Sequence, residues 1–233
     1  MRLDKFIVAV GAGSRSQAKS MVKAKRLTVN GQVAKKSDMK IDPEKDSVCL
    51  DGQELVYTAF DYIMLNKPAG VISATEDARE RTVLDLLPDR YQRVAPVGRL
   101  DKDTVGLLLL TNDGQLNHNL LSPKKHVDKC YEVTLEQPCP PEAIAAMKTG
   151  VTLDDGYQCL PAELTILSDY LVHLTIQEGK FHQVKRMFLA LGNKVTHLKR
   201  LRMGSLTLDP SLEEGDFRLL TEEEVTRLQK NGN

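Results

Sequence analysis

The 233-residue chain has no tryptophan, only five phenylalanines and six tyrosines, so its core has to be built mainly from aliphatic side chains. Its four cysteines, Cys49, Cys130, Cys139 and Cys159, never fall in a close pair. That spacing excludes a zinc knuckle or a dithiol redox motif and leaves reduced, structural thiols. His118, His126, His173, His182 and His197 also lack metal-ligand spacing, so no metal is expected. The P-loop, the dinucleotide fingerprint and the Gly-x-Ser-x-Gly elbow are all missing, which removes three large enzyme classes. No segment approaches the run of about 20 apolar residues needed to cross a membrane, so a cytoplasmic protein without a membrane partner is expected.

Net charge is also lacking: 32 basic residues balance 32 acidic ones. The balance does not hold locally. Residues 1 to 40 carry ten Lys or Arg against two acids, and residues 178 to 204 carry seven against one. Such blocks attract phosphate over about 8 to 10 Å, whatever the sign of distant segments, and nucleic acid is the natural partner class.

Leu3, Phe6, Ile7 and Val10 repeat at helical spacing and stop at Gly11. In "SRSQAKSMVKAKR", Ser14 and Gln17 have the spacing of a capping box, and Ala18, Met21 and Val22 form an apolar stripe. Arg15, Lys19, Lys23, Lys25 and Arg26 crowd the rest of that surface without one acid, a candidate phosphate-facing side or a solvated helix face. Two alternating runs follow, broken by Asn30-Gly31 and Asp51-Gly52, the strongest short hairpin signals. Helices and hairpins together predict a module over residues 1–57, then a linker over 58–61.

Residues 62–233 read as a strand-rich α+β domain on a mixed or antiparallel sheet. Strands are expected at "YIMLNK", Leu107 to Leu110, "KCYEVTLEQP", "AELTILS", "YLVHLTIQ" and "KVTHLKRLRMG". "NDG" at 112 to 114 reads as a turn, "PPEAIAAMKTG" as a Pro-initiated helix, and "FHQVKRMFLALG" as a helix with Val184, Phe188 and Leu191 on one face. Thr221 and Glu224 have capping-box spacing for a last helix.

The stretch "GRLDKDTVGLLLLTNDGQ" concentrates the candidate chemistry. Asp101 precedes an apolar strand, so its loop has a rigid anchor, and a carboxylate held there needs nearby cations to stay ionised. Asp103 suits local hydrogen bonding with Thr104, or magnesium as the second acid of an Asp-x-Asp pair. Tyr131, on an alternating strand, suits sheet packing or stacking on a nucleobase. Lys185 suits pairing with Asp101 or phosphate binding.

These motifs resemble those of the RsuA family of bacterial pseudouridine synthases, in its small-subunit branch. "GRLDKDTVGLLLLTNDG" resembles the catalytic motif, "YIMLNKPAG" the first motif, and "EGKFHQVKRMFLALGNKV" with "LKRLRMG" the C-terminal ones, while the first 55 or so residues are similar to an S4 RNA-binding module. The resemblance implies cofactor-free isomerisation of a specific uridine, uridine 516, in 16S ribosomal RNA, free or in a small-subunit assembly intermediate. It implies Asp101 as nucleophile, Tyr131 stacked on the target base and Lys185 as partner of the carboxylate. Arg99 then holds the place of the extruded uridine, Leu201 forms part of the apolar wall, and Arg186 is a second basic candidate. With Arg15, Lys19, Lys23 and Arg26, these complete the expected RNA contacts of a monomer. The alternatives are a sister synthase acting on large-subunit rRNA, a noncatalytic rRNA-binding assembly protein and a metal-dependent phosphoesterase. The small-subunit branch is favoured because the chain starts directly at the S4-like module and lacks a basic C-terminal tail.

Overall fold

The computed structural model describes residues 1 to 231. They fold into two compact units, Met1–Phe60 with Pro88–Arg93, and Asp61–Leu87 with Val94 onward. Among the described residues no helix is long and apolar enough to cross a membrane.

In the first unit, α1 (Leu3–Ala9) and α2 (Arg15–Lys23) precede β1 (Leu27–Val29), β2 (Gln32–Val33), β3 (Val48–Leu50) and β4 (Gln53–Glu54). The helix start is fixed by its capping box: the Gln17 N–H donates to Ser14 Oγ at 3.2 Å, and the Ser14 N–H donates to Gln17 Oε1 at 2.7 Å. Both hairpin turns take the left-handed backbone their sequences favour, with φ of 51° at Asn30 and at Asp51. The strands form an antiparallel sheet in the order β2-β1-β3-β4. Leu3, Phe6, Ile7, Ala18, Leu27 and Val48 make its core, and Met21 and Val22 pack against it from α2.

The second unit is built on a nine-stranded mixed sheet. Its strands are β5 (Tyr62–Lys67), β6 (Ala95–Pro96), β7 (Val105–Thr111), β8 (Lys129–Leu135), β9 (Glu163–Ile166), β10 (Leu171–Ile176), β11 (Val195–Met203), β12 (Leu206–Thr207) and β13 (Phe217–Leu219). The main path runs β13-β5-β7-β11-β8-β10-β9, with β6 on β7 and β12 on β11. All pairs are antiparallel except β7 with β11. The helices are α3 (Gly114–Leu121), α4 (Glu142–Thr149), α5 (Gln183–Ala190) and α6 (Glu222–Asn231). The expected box starts α6: Glu224 N–H donates to Thr221 Oγ1 and Thr221 N–H to Glu224 Oε2.

The "NDG" segment is not a plain turn. Asp113 caps α3, accepting the N–H groups of Gln115 and Leu116 at 3.1 and 3.0 Å. Asn117, His118 and Asn119 weaken the helical signal there, and burial of Leu116 and Leu120 in the core overrides it. "TVLDLLP" supplies only a short 3-10 turn, Val83–Leu86.

Strand β7 is buried along its whole length and divides two faces. Leu107 and Leu109 enter one core with Leu116, Leu120 and Leu228. On the other face lie Gly106, Arg200 and Tyr131, brought level by the pairs Arg200 with Gly106 and Arg200 with Tyr131. The parallel strands are close at Gly106, whose φ is 97°; a Cβ there would stand 2.4 Å from the Arg200 carbonyl oxygen. Gly106→Ala is therefore expected to lose about 3 kcal/mol or more, because the clash is with backbone and the conformation is itself unfavourable. A urea-unfolding midpoint equal to that of the parent protein would contradict this.

Candidate active site

Asp101 occupies the loop between β6 and β7, and several independent bonds fix that loop. The Lys67 ammonium is wholly buried and donates to the carbonyls of Pro68, Asp101 and Thr104 at 3.0, 3.1 and 2.9 Å, with Lys102 at 3.4 Å. Ser73 Oγ donates to the Leu100 carbonyl at 2.9 Å and accepts the Leu100 N–H at 3.0 Å. The Gly70 N–H donates to the Lys102 carbonyl. Every backbone bond here leaves the Asp101 side chain unengaged and pointing where other groups can meet it.

Two groups from the start of α5 do so. Lys185 Nζ lies 3.1 Å from Asp101 Oδ2, and His182 Nε2 lies 3.6 Å from Oδ1. Lys185 also donates to Asp103 Oδ1 at 2.6 Å. Asp103 is thus a second anion for the same ammonium rather than a loop bond to Thr104. Burial alone would push Lys185 down, but its bonds to Asp103 and Asp101 outweigh it and hold the ammonium above its ordinary range. The same Lys185 bond holds Asp103 below the usual carboxylate range. Among the described residues no three His, Cys, Asp or Glu side chains are grouped to hold a metal ion, and the Asp-x-Asp pair closes on Lys185 instead.

The cleft around Asp101 is lined by Arg99, Tyr131, His182, Val184 and Leu198, among others. Arg99 is exposed at its edge and Tyr131 is buried in its wall. Adjoining it is a cavity of about 620 Å³, to which Arg99, Tyr131 and Lys180 are common and Lys129 and Arg200 are added. Burial pushes Lys129 down to about 8, and the nearby Arg200 charge adds to that.

Several expected contacts fall elsewhere. Leu201 lines neither hollow. It is the extra residue of a bulge between the Arg200–Tyr131 and Arg202–Cys130 pairs, and Leu198 supplies the apolar wall. Arg186 turns away from Asp101: its Nε donates to Asp154 Oδ1 at 2.7 Å, and Nη2 meets both Asp154 and Asp155. In the first unit Arg15, Lys19 and Lys23 are exposed on α2. Arg26 lies beyond the helix end and is held by Asp51, with Nε at 2.9 Å and Nη2 at 2.5 Å from its carboxylate. Lys67 and His182 are functional-site residues that pattern reading does not single out. Lys67 has a signal, a charge ending the otherwise apolar "YIML" strand, whereas His182 shows only as a neighbour of Lys185.

The model of the RNA pseudouridylate synthase family matches residues 61–190, and that of the S4 domain matches residues 1–47. The chain belongs to the RsuA-type RNA pseudouridine synthases. A Bacillus subtilis (strain 168) protein named an uncharacterized RNA pseudouridine synthase is 49% identical over 99% of both chains. The ribosomal small subunit pseudouridine synthase A of Haemophilus influenzae is 42% identical over 99% of this chain and 100% of its own. A crystal structure of a pseudouridylate synthase, 42% identical, superposes with a TM-score of 0.71 over 98% of this chain and 99% of the other. The second unit is therefore a pseudouridine synthase catalytic domain, and the first carries an S4 domain.

Within this synthase, burial pushes the Lys67 ammonium down to about 8, against the opposing pull of Asp103 and Asp101. The unfolded chain keeps that proton up to the ordinary lysine value of 10.5. Between about pH 8 and 10.5 the unfolded state thus binds more protons, so this group makes stability rise with pH across that window. Lys67→Met is expected to flatten the rise, leaving the part due to Lys129. It should also cost roughly 1–3 kcal/mol at pH 7 by leaving buried carbonyls without a donor. Chemical unfolding across the pH range measures both, and equal slopes in the two proteins would contradict the assignment.

Proposed function

We propose that this protein converts uridine 516 of 16S ribosomal RNA to pseudouridine in the cytoplasm, with Asp101 as the nucleophile and without a cofactor. The observation that carries the reading is the Asp101 carboxylate, fixed by its loop and paired with Lys185 at 3.1 Å in a cleft walled by Tyr131. The choice of RNA is supported by relatives 42 to 44% identical along nearly the whole chain that are named for the small subunit.

The reaction is an isomerisation. The N1–C1′ bond breaks, the uracil turns, a C5–C1′ bond forms, the C5 proton leaves and N1 ends protonated. Nothing is oxidised or added, so ionisable side chains and tight positioning suffice. A carboxylate beside the sugar acts by adding at C1′ or by taking the C2′ proton, and both routes use the same group in the same place. Lys185, 3.1 Å away, pairs with that carboxylate and holds it in place beside the sugar. Tyr131 stacks on the base while it is detached, and its wall excludes water that would capture the sugar. Removing a uridine from its stack costs a few kcal/mol, and contacts to phosphate and bases outside the cleft offset that. Arg99 at the edge, with Arg15, Lys19 and Lys23 on α2, makes those contacts. Arg26 and Arg186 contribute less, since each is already neutralised by aspartate.

Asp101→Asn should reduce product to background while leaving RNA affinity within about three-fold, since the amide keeps the shape and loses the charge. Carbodiimide treatment and primer extension on incubated 16S rRNA reads this, and undiminished product would remove Asp101 as nucleophile. In cells lacking the gene, pseudouridine should vanish from that 16S position; loss at a 23S position instead would reassign the substrate.

Replacing both Lys19 and Lys23 by Ala should lower the slope of log affinity against log salt by about 1.5, as expected for two phosphate contacts. It should leave the single-turnover rate at saturating RNA unchanged. A slope equal to that of the parent protein would take α2 out of the phosphate footprint.

A further inference from the structure

Phe181 is 76% exposed, in a chain with only five phenylalanines, and it precedes His182, which lines the cleft around Asp101. Its ring stacks on His182, with centroids 3.8 Å apart and planes inclined by 19°. His182 in turn reaches Asp101 at 3.6 Å. The two rings therefore form a short column that starts at the catalytic carboxylate and ends in solvent.

The column is held open to solvent by the backbone around it. His182 takes a left-handed conformation, φ 50°, which a residue with a side chain adopts at some cost. The flanking turn is tied down on both sides. The Gln183 side chain, buried, accepts the Lys180 N–H at 3.0 Å and donates to Glu178 Oε2 at 2.9 Å. Glu178 also accepts from the Tyr157 hydroxyl and the Leu160 N–H. The Phe181 carbonyl faces Arg186 Nη1 at 3.4 Å. A flexible loop could fold an apolar ring back onto the protein; a turn with this many bonds keeps it out in water. Such rigid exposure has no benefit for folding, and it is suited to a flat partner that arrives from solvent.

The surroundings identify the partner's chemistry. Beyond its contact with His182 the Phe181 ring is largely exposed, and Lys180, its neighbour in sequence, holds its ammonium 4.4 Å from the Tyr157 ring centroid, while Lys185 and Arg186 are already paired with aspartates. A neutral aromatic face with an exposed lysine next to it in sequence fits an unpaired nucleobase with its phosphate.

Resting on the pseudouridine synthase reading above, we propose that Phe181 stacks on the nucleobase next to the target uridine. The His182–Phe181 column then continues into the RNA and holds the strand open while the uridine occupies the cleft. Phe181 is thus an RNA-positioning residue that acts on a different nucleotide from Tyr131.

The test uses the full-length protein and a 16S rRNA fragment that the wild type modifies, with 2-aminopurine placed in turn on each side of the target uridine. Wild type should quench one of the two probes. Phe181→Leu, which keeps an apolar side chain without a flat face, should lose that quenching and weaken RNA binding about ten-fold or more. Its melting temperature should be unchanged, because the ring is exposed. Phe181→Tyr should restore both signals. Unchanged quenching and affinity in Phe181→Leu would overturn the proposal, as would a defect seen only on assembly particles that contain ribosomal proteins. If wild type makes no pseudouridine in any 16S fragment or in small-subunit assembly particles, the functional reading fails instead, which keeps the two outcomes distinct.

Discussion

A single buried ammonium holds the reactive loop in shape. Lys67 ends an edge-adjacent strand that is apolar up to Asn66, and its charge is satisfied by the carbonyls of Pro68, Asp101 and Thr104 rather than by an acid. Carbonyl dipoles suit this role better than a carboxylate would. An anion at that position would neutralise Lys67 but would also repel the Asp101 charge nearby. Dipoles satisfy the ammonium and leave a net positive field beneath the loop. The backbone thus spends its acceptors on Lys67, and the Asp101 side chain is left for Lys185 and His182.

The same constraint explains the order of the strands. β7 follows the loop directly, and β11 lies parallel beside it, close enough at Gly106 to exclude a Cβ. β11 pairs on its other side with β8, which places Tyr131 level with Arg200. The residues preceding β11 form α5, so the strand that fixes the tyrosine side of the cleft also delivers Lys185 to the carboxylate. Three regions far apart in sequence, the loop with β7, β8, and α5 with β11, are thereby located by one set of close strand contacts.

Local signals in the sequence were sufficient for much of this. The box at Ser14 and Gln17, the turns at Asn30 and Asp51, the helix ending at Gly150 and the alternating strands are all decided by residues a few positions apart. Across the 84 positions that separate Asp101 from Lys185, residue types alone left their pairing as one of two roles for the lysine, and the family's motifs favoured it. Features that depend on distant partners were not legible locally. Leu201 falls at a bulge of β11, and α3 forms because Leu116 and Leu120 have a core to enter. Lys67 looks like an ordinary strand end until the carbonyls that surround it are seen.

Charge shows the gap between sequence and structure most clearly. In the block from 178 to 204, Lys185 and Arg186 are taken up by aspartates, Lys194 by Glu136 and Arg202 by Asp128, while Arg200 is buried and donates to the Leu107 carbonyl. A run of cations there is largely internal wiring of the catalytic unit. In the first block Arg2 and Arg26 are similarly paired, but Arg15, Lys19 and Lys23 remain exposed along one helix. Counting charges gives the two blocks equal standing as RNA contacts; geometry does not. Exposed cations are aligned on α2 of the S4-bearing unit, whereas the cleft around Asp101 has Tyr131 in its wall and Arg99 exposed at its edge. The cations of α2 can therefore be changed without touching the ion pair of Asp101 with Lys185.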